Sequence, residues 1–129
     1  MTNPPPASGA SSDDLVKELT GLRGQVLGIS ESIIATTDGL LVAADTANVQ
    51  PESLAALSAA SLALGKRSAA EVGLGSLREV VTRCNGGYSV VLAVGEQALL
   101  VILGDEGLDM SALRRETPAV VERLGGLLA

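Results

Sequence analysis

Apolar positions along the chain follow two periods, and the change from one to the other marks out the elements. Leu15, Leu19 and Leu22 recur at helical spacing behind Ser12 as N-cap, with Asp13 and Asp14 in the first turn. A first helix ending near Arg23 and Gly24 is predicted. From Leu27 the period becomes two: Ile29, Glu31, Ile33 and Ala35 alternate with Ser30, Ser32, Ile34 and Thr36, the mark of a strand. Asp38-Gly39 supplies a hairpin turn, and residues 40–44 return antiparallel. After a loop over 45–50, residues 51–72 read as one long helix, with Pro51 at its first position and Glu52 beside the positive end of the dipole. Its helical wheel groups Leu54, Leu57, Ser61, Leu64, Gly65, Ser68 and Val72 on one face, expected to meet the core. The other face carries Ala56, Ala59, Ala60, Ala63 and Ala70, and no charge occurs between Glu52 and Lys66. A helix polar on neither side is covered on both. The second face is therefore expected to meet a partner, most simply the same helix of a second copy.

Beyond this helix, Gly73, Gly75 and Ser76 mark a loop into a strand over 77–84, the most charged strand in the chain. Arg78, Val80 and Thr82 fall on one of its faces, and Leu77, Glu79, Val81 and Arg83 on the other. Asn85-Gly86-Gly87 is a hairpin signal leading to a strand over 88–94; Gly95-Glu96-Gln97 turns the chain into a last strand over 98–103. These two strands, YSVVLAV and ALLVIL, have almost no polar alternation, which implies a sheet covered on both faces. The long helix is expected on one face, and the first and last helices on the other. The last helix is expected to start at Asp109 or Ser111 and to carry Met110, Leu113, Val120, Val121, Leu124 and Leu127. Pro118 is expected to kink or restart it, with Thr117 as a new cap. Residues 1–12, rich in Pro, Ser, Gly and Ala, read as a disordered tail, and 13–129 as one domain.

Composition narrows the function more by exclusion than by pointing. The 129 residues suit a single domain, and the 47% hydrophobic fraction is built of aliphatic residues, since Tyr88 is the only aromatic. A formal charge of −6 argues against a nucleic-acid surface, and one aromatic gives no stacking platform. With no histidine and a single cysteine, Cys84, intrachain disulfides, the common zinc sites and histidine-dependent acid–base or nucleophilic schemes all drop out. No apolar run reaches the length of a membrane span, so direct membrane insertion is not expected. The first residues lack the basic and apolar regions of a signal peptide, and a cytoplasmic setting is expected.

Candidate chemistry is sparse. Gly65-Lys66-Arg67-Ser68 resembles the end of a phosphate-binding loop, but Ala60 stands where that pattern needs glycine, Arg67 separates Lys66 from the serine, and the stretch lies inside a helix. Asp38 before Gly39 reads as a turn residue rather than a metal ligand. Asp105, Glu106 and Asp109 lack the spacing of a calcium loop and read as a loop and a cap. Cys84 beside Arg83 has no second cysteine or histidine to work with and is expected to be a buried small hydrophobe. Arg114, Arg115 and Arg123 are interleaved with Glu116 and Glu122, as on a solvated mixed face. No catalytic residue, cofactor site or metal site is expected. Lys66 and Arg67, with Ala70, remain the best candidates for contact with an acidic partner surface; the alternative is that the two cations are solvated and only favour the negative end of the helix dipole.

The order helix, two strands, long helix, three strands, helix joins three local motifs: Thr37-Asp38-Gly39-Leu40, Leu64-Gly65-Lys66-Arg67 and Gly86-Gly87-Tyr88. Together they resemble the roadblock / dynein light chain family over roughly residues 13–128, closest to the small bacterial members that accompany Ras-like GTPases. The resemblance implies an α+β fold of the roadblock/longin type: one five-stranded, mainly antiparallel sheet, in the order α-β-β-α-β-β-β-α, with helices on both faces. It implies a homodimer whose third strands pair into one sheet with the long helices side by side, which places Ala56, Ala59, Ala60, Ala63, Leu77 and Val81 at the dimer interface. It also implies a non-catalytic role, binding a small GTPase on the two-helix face. Some such dimers accelerate hydrolysis by repositioning the GTPase's own residues, so Arg78 is not required as an arginine finger. The competing expectation is a dimeric scaffold or adaptor in a cytoplasmic signalling or motility complex, with no effect on GTP hydrolysis.

Overall fold

The structure, a computed structural model, describes residues 12–129, so all but the last residue of the expected tail lies outside the described residues. The elements are α1 (Ser12–Gln25), β1 (Ile29–Thr36), β2 (Leu41–Asp45), α2 (Pro51–Glu71), β3 (Glu79–Cys84), β4 (Gly87–Val94), β5 (Ala98–Gly104) and α3 (Met110–Leu128). The five strands form one antiparallel sheet in the order β2-β1-β5-β4-β3, leaving β2 and β3 as its edges. Neighbours along the chain make hairpins; α2 carries the chain from one edge to the other. Its 21 residues reach about 30 Å at roughly 1.5 Å each, enough to cross a sheet about 20 Å wide between its edge strands.

Both faces of the sheet are covered, and the unbroken apolar runs in β4 and β5 are the reason. Alternate residues go to opposite sides: Leu100 and Ile102 join Leu19, Leu22, Ile34, Val90 and Leu124 under α1 and α3. Leu99 and Val101 join Ile33, Ala55, Ala59, Leu62 and Val91 under α2. Burying each of these leucines and isoleucines contributes about 2 kcal/mol. The Glu18 carboxylate accepts from Arg123 at 2.8 Å and links α1 to α3. Gly87 stands where β4 passes β5 most closely: a Cβ there would overlap the Gly104 carbonyl oxygen, and its φ of 143° suits only glycine well.

α2 is rotated from its expected phase. Its sheet face consists of Ala55, Ser58, Ala59, Leu62 and Ala69, whereas Leu57, Leu64 and Val72 are 71%, 66% and 66% exposed. The cause is close approach: a Cβ on Gly65 would lie 2.7 Å from Leu77 Cδ2 and 3.0 Å from Val80 Cγ2. Small residues let the helix backbone sit low on the sheet, with Leu54 and Leu62 packed against it and Leu57 and Leu64 turned outward. Ala59, expected on the outer face, is only 8% exposed and belongs to the protomer's own core.

Three smaller expectations also change. Leu77 precedes β3 and packs under α2 instead of opening the strand. Cys84 is exposed at the end of the edge strand, because no described residue covers that end of β3. α3 runs unbroken through Pro118, capped by Asp109, whose Oδ1 accepts from the Ala112 amide at 3.0 Å. Thr117 is buried in mid-helix and caps nothing. Proline removes the N–H that would have bonded the Arg114 carbonyl, but Pro118 is exposed and water can serve that carbonyl. Leu113 before it and Val120 and Leu124 after it hold both halves to the core.

The β2–α2 loop is organised by one carboxylate. Glu31, 6% exposed in β1, accepts at Oε1 from the backbone amides of Ala47, Asn48 and Val49 at 2.7, 2.7 and 3.1 Å. Burial alone would raise its pKa, but the three amide bonds outweigh it and hold the carboxyl below its ordinary value. A carboxyl with a lowered folded pKa contributes stability that is complete above its unfolded pKa and lost as pH falls through the folded one. Glu31→Ala should therefore lower stability at neutral pH by on the order of 2 kcal/mol, since the amides lose their acceptor. Urea unfolding of both proteins checks this: the gap should be widest near pH 7 and shrink as the medium is acidified through the carboxylate range.

Candidate protein-interaction surface

Among the described residues, the outer side of α2 and the free edge of β3 adjoin one another and both lack cover. Along α2, Leu57, Ala60 and Leu64 are exposed in a line, flanked by Ala56 and Ala63 and continued by Val72 and Leu74, the last 78% exposed. Leu57, Ala60 and Leu64 are spaced by three and four residues, so they share one helical face. That spacing is present in the sequence, but a ranking of faces by hydrophobicity turns it toward the core. Of the residues expected at a dimer interface, Ala56, Ala60 and Ala63 lie on this outer side, while Ala59 and Leu77 face inward.

Edge strand β3 is the second component. Its residues stand opposite β4 from Glu79↔Leu92 through Val81↔Val90 to Cys84↔Gly87. Val80 sits on the α2 side of the sheet. Glu79, Val81 and Arg83 therefore point to the α1/α3 side, by the alternation of a strand. Val81 is 40% exposed there. Val81 and the α2 stripe thus border the same edge from opposite faces of the sheet.

Charge is distributed unevenly over this surface. Lys66, Arg67 and Ala70 are all exposed on the second half of α2. Arg23 bonds Asp45 at 2.7 Å, Arg123 bonds Glu18 at 2.8 Å, Arg114 lies 3.8 Å from Glu79, and Arg115 lies 3.7 Å from Glu116. Among the described residues, Lys17, Lys66, Arg67, Arg78 and Arg83 have no such partner; Lys17 lies on α1, and the other four lie on α2 or on the segment leading through β3. The surface is shallow, with hollows of about 340 Å³ beside Arg67, Ser68, Glu71 and Val72 and about 440 Å³ beside Arg83, Cys84 and Tyr88.

The remaining candidates have local explanations. Asp105 Oδ1 accepts from the Gly107 amide at 2.8 Å and shapes the β5–α3 loop, and Asp109 caps α3. Asp38 precedes Gly39, whose φ of 91° makes the β1–β2 turn. Among the described residues no three His, Cys, Asp or Glu side chains are grouped to hold a metal ion, and no helix is long and apolar enough to cross a membrane.

Comparison with known proteins places this fold. An uncharacterised protein of Methanocaldococcus jannaschii is 28% identical over 98 residues, covering 75% of this chain and 85% of that one. The gliding protein MglB from Thermus thermophilus superposes with a TM-score of 0.81 at 21% identity, covering 99% of this chain and 98% of that one. An MglB in a tetrameric arrangement gives 0.83 at 21% identity, over 99% and 97% of the two chains. At these identities the structural likeness concerns the fold, and it extends through α3. The sequence itself matches the Roadblock/LC7 domain over residues 15–104, from the first buried leucine of α1 to the end of β5. The chain belongs to the Roadblock/LC7 domain family.

Proposed function

We propose that this protein is a homodimeric, non-catalytic regulator or effector of a small Ras-like GTPase, which it binds across the paired outer faces of α2. The observation that carries this reading is the exposed apolar stripe of Leu57, Ala60 and Leu64 beside an unpaired edge strand. A folded chain seldom leaves such a patch uncovered unless it meets a partner, and an open edge strand needs one for the same reason. A second copy answers both needs at once, with the two α2 helices side by side on one enlarged sheet. Ala56, Ala60 and Ala63 between the leucines permit close approach, and Lys66, Arg67 and Ala70 then frame the platform from both copies. The setting proposed is the cytoplasm. Membership of the Roadblock/LC7 domain family supports a regulatory rather than an enzymatic role.

A second reading, a dimeric scaffold in a motility or signalling complex without effect on GTP hydrolysis, is favoured by one observation. The similar structures are described by gliding and by a tetrameric arrangement. GTP hydrolysis by a cognate GTPase, with and without this protein, separates the two readings.

Light scattering after gel filtration at micromolar concentration should give twice the chain mass. Leu64→Asp should yield a folded monomer, because the side chain is 66% exposed in the single chain but would lose burial worth about 2 kcal/mol in each copy of a symmetric dimer. A stable Leu64→Asp dimer would place α2 outside the interface. For the partner face, Lys66→Glu with Arg67→Glu should slow capture of the GTPase in a salt-dependent manner while the dimer persists, since complementary charge governs encounter. Arg114→Glu with Arg115→Glu is the control on α3. Loss of capture with the α3 pair alone would move the binding face to the other side of the sheet.

A further inference from the structure

The face of the sheet opposite α2 is covered unevenly. The apolar cluster under α1 and α3 draws on β1, β2, β4 and β5 but on no residue of β3, and Val81 stays 40% exposed. Between α3 and the start of β3 this leaves a groove of about 390 Å³. Leu77 and Leu92 line it from the sheet, and Pro118 and Val121 line it from α3. Leu77, Leu92 and Val121 are half-buried and Pro118 is exposed, so the groove is open to water along the helix. The same wall of α3 carries a backbone acceptor, the Arg114 carbonyl, to which Pro118 has no N–H to give.

Three charged side chains border the groove: Arg78, Glu79 and Arg114. Glu79 lies 3.8 Å from Arg114, longer than the ~2.8 Å of a charge-assisted hydrogen bond. Arg78 has no ion-pair partner among the described residues. Two guanidinium groups thus stand against one carboxylate, on a chain whose formal charge is −6. An apolar floor with a few charges at its margin is the usual construction of a binding groove.

We propose that this groove receives a short acidic segment of a partner protein, with its apolar side chains between Leu92 and Val121 and its carboxylates on Arg78 and Arg114. The site lies on the opposite side of the sheet from α2, and it leaves the outer face of that helix free for a GTPase. It is built within one chain, so it does not rest on the dimer reading. Charge selects the occupant. Residues 1–11 contain no Asp or Glu and give the two arginines nothing to bind. The exposed apolar stripe of α2, offered by a second copy, has no acid between Glu52 and Lys66 and fails for the same reason. A basic segment would meet Arg78 and Arg114 as like charges. A guanidinium binds carboxylate through two parallel N–H bonds, so the arginines fix how the segment lies while the apolar floor holds it.

Three short fluorescent peptides, tested on the full chain, probe the groove. The first has leucines flanked by glutamates; lysine replaces glutamate in the second, and serine replaces leucine in the third. By anisotropy the first should bind at least tenfold more tightly than either of the others. In NMR spectra of the isotope-labelled chain it should shift the amides of Leu92, Ala93 and residues 114–121. Arg78→Glu with Arg114→Glu changes two exposed side chains. That double variant should bind the first peptide about tenfold more weakly and with a flatter dependence on salt. Equal binding of the lysine peptide, or unchanged affinity in the double variant, would overturn the charge selection. Equal binding of the serine peptide would overturn the role of the apolar floor. Shifts gathered on residues 57–64, or no binding by any peptide, would overturn the site. Displacement of the first peptide by an excess of free peptide spanning residues 1–11 would make that segment the occupant and overturn the assignment to a partner.

Discussion

How closely α2 lies on the sheet decides most of what this molecule can do. Ala55, Ser58, Ala59 and Gly65 bring the helix backbone down toward β1, β3 and β4. That closeness has two consequences. Leu77 and Val80 are clamped under the helix near its end, which fixes the start of the edge strand. Of the helix's larger apolar residues, Leu54 and Leu62 pack against the sheet, while Leu57 and Leu64 face outward. A substitution of Gly65 by a bulkier residue would lift the helix, and both the core beneath and the exposed surface above would change together.

The same constraint explains which parts of the fold were legible in the sequence. Element order, the Asp38-Gly39 and Asn85-Gly86 turns and the two-sided burial of β4 and β5 are local signals, and the structure agrees with them. The phase of α2 was not legible, because a helical wheel ranks faces by hydrophobicity whereas the sheet selects by size when the helix packs tightly. Leucines and alanines stand on both sides of the helix, with Leu62, Ala55 and Ala59 inside and Leu57, Leu64, Ala56, Ala60 and Ala63 outside. The continuity of α3 through Pro118 was hidden for another reason: proline's local cost is set against packing by Leu113, Val120 and Leu124, which lie far apart in sequence from the strands they touch. At the candidate surface, Lys66, Arg67, Ala70, Ala56, Ala60 and Ala63 are exposed on α2, while Ala59 turns inward by the same difference of phase and Leu77 is drawn under the helix with it.

Glu31 shows a further limit of pattern reading. It occupies an inward position of a strand in a period-two run, where alternation alone predicts an apolar residue. The structure satisfies it through three consecutive amides of a loop that lies 16 to 18 residues downstream. A buried carboxylate with its acceptors filled in this way fixes the loop before Pro51 and therefore the point where α2 sets out across the sheet. The placement of α2 thus depends on a polar contact as well as on the apolar core.

Charge sets a condition on any assembly of this chain. Each copy carries −6, so two copies repel as they approach. At physiological ionic strength that repulsion fades over about 8 Å, which leaves the composition of the contact surface itself to decide whether copies stay together. The outer side of α2 contributes no charge between Glu52 and Lys66, and residues 78–84 contribute Arg78 and Arg83 against the single acid Glu79. The acids are concentrated elsewhere, in the first turn of α1, the loops around β5 and along α3. A chain that is acidic as a whole and neutral to basic along one edge is repelled by random encounters with its own kind and relieved of that repulsion only when those edges meet. Orientation, more than attraction, is what such a charge distribution supplies.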